Sequence, residues 1–125
     1  MALTRNYSLN SFIKSAILIS GIYQPQITQY LSISKKIKLN KNIIKLTDVY
    51  NNNILQKTNI LIVVGDDEPN PWKRLSIDFS EWLKKNKISF KFYNAIHLNH
   101  FTIVKALSDY KSTLSKKVTN MSVKT

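Results

Sequence analysis

The sequence predicts an α/β fold in which about three parallel strands alternate with helices. Three observations lead there. Ile60–Val64 is a continuous apolar run stopped by Gly65, an amphipathic helical pattern follows it directly, and an alternating segment, Ile88–Tyr93, follows that. Strand, helix, strand in this order implies parallel pairing through a helical crossover.

Taken in chain order, Phe12–Ile19 is the first strand expected, rich in β-branched residues and ended by the Ser20-Gly21 turn signal. The span from Tyr23 to Asn59 is polar and lysine-rich. One or two short helices are expected around Ile27–Ile44, and Asn51, Asn52 and Asn53 mark a loop. Ile60–Val64, apolar throughout, reads as a strand covered on both faces. In the next helix Asn70 is placed as the cap and Pro71 as the first helical residue. Trp72, Leu75, Phe79, Trp82 and Leu83 form its apolar stripe, and Lys84, Lys85 and Lys87 complement the negative end of its dipole. The period of two in Ile88–Tyr93 suits a strand at or near a sheet edge, with one wet face. A last helix is expected from about Phe101 to Tyr110, with Ile103, Val104 and Leu107 on one face. The organisation expected is one domain over residues 1–112, which the resemblance described below makes a partial one, and a flexible tail over 113–125.

Composition narrows the function. At 125 residues the chain fits one small domain, and with no cysteine it has neither a disulfide framework nor a cysteine–zinc site. The longest apolar run, Ile60–Val64, is far short of the roughly 20 residues that span a bilayer. A cytoplasmic protein is therefore expected, with no membrane partner. The net charge of +12 raises nucleic-acid binding as a question. Of the 19 basic residues only Arg5 and Arg74 are arginine, whereas nucleic-acid readers lean on arginine for bidentate contacts. The lysines are scattered, with pairs at Lys35-Lys36, Lys84-Lys85 and Lys116-Lys117. They read as a solvated surface rather than a phosphate-binding face, and a nucleic-acid partner is not expected.

In open parallel sheets, ligand and catalytic groups gather beyond the carboxyl ends of the strands. Two segments meet that rule: Gly65-Asp66-Asp67-Glu68 and His97-Leu98-Asn99-His100. Should the strands before them be neighbours, an acid and a histidine lie side by side. The carboxylate then sets the imidazole tautomer, and the imidazole takes a nucleophile's proton. His97 reads as an ordinary loop histidine. Trp72 and Trp82 read as packing residues, and Ser20, Ser76 and Ser80 as structural. The two histidines, three apart in a loop, lack further ligands of convincing spacing, so neither a metal nor any other cofactor is expected.

Ile60-Leu-Ile-Val-Val-Gly-Asp-Asp-Glu68, Trp72-Lys-Arg-Leu-Ser76 and Leu98-Asn-His-Phe-Thr-Ile-Val104 resemble the C-terminal part of α/β-hydrolases of the kynurenine formamidase (arylformamidase) and esterase group. Ser20-Gly21-Ile22-Tyr23 resembles that family's turn after the strand that follows the nucleophile helix. The resemblance covers roughly residues 1–110 and implies the C-terminal half of an α/β-hydrolase fold, three-layered and incomplete. By position it makes Glu68 the acid of a catalytic triad, with Asp67 and Asp66 as the alternatives, and His100 the general base. Thr102 stands where the family often carries an acid. The implied substrate is an N-formylkynurenine-like formamide or a carboxylic ester.

The chain departs from the family in one decisive respect. Gly21 and Gly65 are its only glycines, so it holds neither the G-x-S-x-G elbow nor an HGG oxyanion motif. On the resemblance, Met1–Thr4 would end the helix after the elbow and the nucleophile would lie just before residue 1. Little hydrolase activity is expected of this polypeptide alone; a missing N-terminal half, on the same chain or on a separate one, would complete it. The alternatives are an inactive remnant and a small basic polyanion-binding module.

Overall fold

A computed structural model describes residues 13–30, 36–51 and 58–123. Phe12 of the first expected strand, Met1–Thr4, and part of the Ile27–Ile44 and asparagine-loop segments lie outside the described residues. Three strands, β1 (Ser15–Ile19), β2 (Asn59–Gly65) and β3 (Phe90–Ala95), form a sheet in the order β1-β2-β3. Both pairings are parallel, with Leu18 opposite Ile62 and Ile62 opposite Phe92. The α/β class and the buried central strand are as the sequence predicts.

β2 explains the layering. Its side chains alternate between faces, and both faces are covered, so every residue from Ile60 to Gly65 is buried. On one face Ile60 and Ile62 join Tyr23, Val49, Phe79, Leu83 and Ile88. The long helix α2 (Asn70–Lys85) lies there, with the 3₁₀ segments Pro25–Tyr30 and Val49–Asn51. On the other face Leu61 and Val63 pack with Ala95, Ile103 and Leu114, from β3 and the helices α3 (Thr102–Ser108) and α4 (Thr113–Val123). The short helix α1 (Lys41–Thr47) is capped by Asn40, whose side chain accepts from the Ile43 N–H at 2.9 Å. Among the described residues no helix is long and apolar enough to cross a membrane.

Four expectations are corrected. Pro69, not Asn70, holds the cap position of α2; its carbonyl already accepts from Trp72 and Lys73, so Asn70 is helical and Pro71 falls in the second position. Neither proline loses a hydrogen bond, because first-turn amides have no helical acceptor. β3 begins at Phe90 rather than Ile88. The Ile88 N–H instead bonds back to the Leu83 carbonyl at 2.9 Å and closes α2, with Lys87 left-handed at φ 58°. Val104 is exposed while Ile103 is buried, so α3 docks through Ile103, Ala106 and Leu107 and not through Val104. Finally, residues 113–123 are not a flexible tail but the helix α4. Leu114 there is 1% exposed, and Val118 and Met121 pack on the same core.

Candidate active site

The carboxyl ends of β2 and β3, side by side in the sheet, carry the two loops singled out from sequence. The first folds back at once. Gly65 accepts from the Glu68 N–H and donates its own N–H to Glu68 Oε2, at 3.2 Å each, which turns the glutamate inward. Gly65 has no room for a side chain, because a Cβ there would overlap the Leu98 carbonyl. The two loops are also tied by the Asp67 N–H on the Leu98 carbonyl at 3.0 Å.

The second loop presents His100. Asn99 Oδ1 accepts from the N–H groups of Phe101 and Thr102 at 2.9 Å each, while Thr102 Oγ1 accepts from the Asn99 N–H at 2.8 Å. This reciprocal cap starts α3 and sets the direction of the histidine between them. Thr102, where the resemblance would have an acid, serves as half of that cap. His97, earlier in the loop, is left-handed at φ 58° and exposed.

The two loops bring Glu68 and His100 together. Nδ1 of His100 lies 3.0 Å from Glu68 Oε1; the glutamate side chain is fully buried and the histidine side chain is 55% exposed. With Nδ1–H donating, Glu68 spends one oxygen on His100 and the other on the Gly65 N–H, so both faces of a buried carboxylate are satisfied. The imidazole then carries its lone pair on Nε2, which has no hydrogen-bond partner among the described residues. A histidine held at one nitrogen by a buried acid, with the other nitrogen unbonded, has the arrangement that general-base chemistry requires.

The alternative acids have other duties. Asp66 Oδ1 accepts from the Asn94 side chain at 2.8 Å, and its carbonyl accepts from Lys73 Nζ at 3.0 Å. Asp67 is exposed. Burial and the 3.0 Å contact single out Glu68. Trp72, read from sequence as a packing residue, lies 5.5 Å from the His100 ring, centroid to centroid, and Phe101 meets that ring edge-on at 5.9 Å. Phe101 is 83% exposed. The histidine is thus flanked by two aromatic side chains, one of them projecting into solvent.

Ser20, at the carboxyl end of β1, is buried in the left-handed region at φ 47°, and its hydroxyl has no hydrogen-bond partner. Ser76 is fully buried on α2 and likewise without one, while Ser80 donates to the Ile77 carbonyl. None of these serines bonds to His100. Among the described residues no three histidine or acidic side chains come together to hold a metal ion. Comparisons of the chain with protein-family models, curated proteins and solved structures find no match.

Proposed function

We propose that this chain supplies the acid and the general base of a serine-type hydrolase of α/β-hydrolase type. The observation that carries the proposal is the Glu68–His100 pair: a buried, doubly satisfied carboxylate holding Nδ1 of a half-exposed imidazole beyond the strand ends. A serine held at that nitrogen loses its proton to Nε2 as its Oγ attacks a carbonyl carbon, and Glu68 stabilises the imidazolium that forms. His100 returns the proton to the departing amine or alcohol, and water attacking by the same route frees the acid. The substrate class is an aryl formamide or carboxylic ester. The resemblance to the kynurenine formamidase group points there, and the Trp72 and Phe101 rings beside His100 suit a flat leaving group.

The nucleophile and the oxyanion donors come from a further segment. β1 has room for it: among the described residues no strand pairs with its outer edge, and its residues are all half-buried. A parallel strand added there would end on the same side of the sheet as Glu68 and His100. The decisive experiment reads the DNA upstream of the Met1 codon and assays the product of the whole frame against N-formylkynurenine and an aryl acetate. An in-frame G-x-S-x-G and hydrolysis that falls at least about a thousandfold in His100→Ala are expected. Hydrolysis undiminished in that variant refutes the assignment. So does the absence of any such motif upstream, which leaves an inactive remnant.

A further inference from the structure

A second recess lies away from the strand ends that carry Glu68 and His100. On the face covered by α3 and α4, the outer part of β3 and the last turns of α4 leave a cavity of about 460 Å³ between them. Its apolar part includes Leu61, Met121 and the ring of Tyr93; its polar part is Lys91, Lys117 and Asn120. A smaller recess of about 250 Å³ continues it toward the start of β3, sharing Lys91, Asn120 and Met121.

Three properties go together here. Lys117 Nζ stands 4.7 Å from the centroid of the Tyr93 ring, so its charge is held over the cavity wall. Lys91 and Lys117 both line the cavity, no acidic residue lines it among the described residues, and neither lysine forms an ion pair there. The apolar part is continuous with the core, since Leu61 is 4% exposed and Met121 and Tyr93 pack against the same cluster. A space of this size, apolar within and cationic at its rim, matches the usual make-up of small-molecule sites.

From this we infer that the β3–α4 recess binds a small organic anion with a flat apolar body, of the aryl carboxylate class. The ring is buried against Leu61, Tyr93 and Met121, the carboxylate lies between the two ammonium groups, and the Asn120 amide donates to it. A bare anion leaves the apolar wall wet, and a neutral ring brings no counter-ion to the two ammonium groups. An extended polyanion would need cations along an open surface, whereas this pair converges on one hollow. The inference does not depend on the hydrolase reading, because no residue is shared with the Glu68–His100 loops.

The test is an amide NMR titration of the whole chain with 2-naphthoate, and with 2-naphthalenemethanol as its neutral counterpart. Saturable shifts confined to the neighbourhood of Lys91, Tyr93, Lys117 and Asn120 are expected. Affinity should fall about tenfold for the alcohol, and by a similar factor for the acid in Lys117→Gln, the loss of one charge-assisted contact. Both lysines are exposed, so Lys91→Gln and Lys117→Gln should melt with the parent chain. The comparison of the two ligands on the unaltered protein stands whatever the variants do. Equal affinity for acid and alcohol, shifts spread over lysines at large, or displacement of 2-naphthoate by a short DNA duplex at equal phosphate concentration would each overturn the inference.

Discussion

At the scale of single residues, the dyad depends on Glu68 having two equivalent acceptors. One oxygen serves the Gly65 N–H and the other His100 Nδ1. Glu68→Gln keeps the shape but has one oxygen and one NH₂ group. If the oxygen stays with Gly65, the NH₂ faces His100 and the imidazole must become the Nε2–H tautomer to accept from it. If the oxygen turns to His100, the buried Gly65 N–H faces a second donor, at a cost of about 1–3 kcal/mol. The first outcome is expected, because the imidazole can change tautomer and the backbone cannot. ¹⁵N chemical shifts of His100 should therefore move from the Nδ1–H pattern to the Nε2–H pattern, and the completed hydrolase should lose its general base. An unchanged Nδ1–H tautomer in a variant that also melts with the parent would show that Glu68 does not orient the ring. Glu68 and His100 were legible as candidates because each stands at a set distance beyond a strand. The choice among Asp66, Asp67 and Glu68 was not settled by the residues themselves, since it rests on which side chain turns inward. The nearness of Trp72 to His100 was hidden for a related reason: helical spacing places Trp72 on the apolar stripe, but His100 comes from a loop that no local pattern connects to it.

At the scale of elements, what the sequence hid was mostly at the ends. β2 and α2 were plain, since a fully apolar run and a five-residue stripe have few other uses. The ends of α2 were decided by backbone hydrogen bonds, at the Pro69 carbonyl and at Ile88, that side-chain pattern does not register. α4 was missed although Leu114, Val118 and Met121 recur at helical spacing, because three apolar residues among lysines and threonines resemble a solvated tail. Their contacts show what holds the helix. Leu114 is 1% exposed and meets Ile103 of α3 within the core on that face, and Ser112 ties the two helices by donating to the Ala106 carbonyl at 2.6 Å. Leu114→Ala is expected to cost about 2–4 kcal/mol in urea unfolding, the range for truncating a buried leucine. Val104→Ala, on the exposed side of α3, should change stability by less than about 0.5 kcal/mol. A loss for Leu114→Ala as small as that for Val104→Ala would mean that α4 is not docked in solution.

At the scale of the whole molecule, two unlike cores are clamped on one three-stranded sheet. The core on the α3 and α4 side is largely aliphatic, while that beneath α2 is aromatic: Tyr23 stacks on Phe79 with centroids 4.0 Å apart, and Tyr50 meets Phe79 and Trp82 edge-on. The aromatic core has a chemical weakness. The Tyr23 hydroxyl is buried; Ser76 is close enough to perturb it, but neither hydroxyl attains hydrogen-bond geometry. Burial pushes the Tyr23 phenol from 10.0 up to about 12, and burial, aided by the charges of Asp78 and Asp48, pushes Tyr50 to about 12 as well. A phenol whose pKa is raised by folding is held neutral in the native state while the unfolded chain ionises first. Its contribution is therefore whole below pH 10 and is lost as pH rises toward 12, and for Tyr23 that loss is on the order of 2–3 kcal/mol. Tyr23→Phe removes both the titration and an unpaired buried hydroxyl. Urea midpoints for the variant should be equal or higher at neutral pH and should fall less steeply than the parent's above about pH 10. Parallel alkaline curves for parent and variant would place the weakness elsewhere, and Tyr50→Phe then becomes the variant that should flatten the curve.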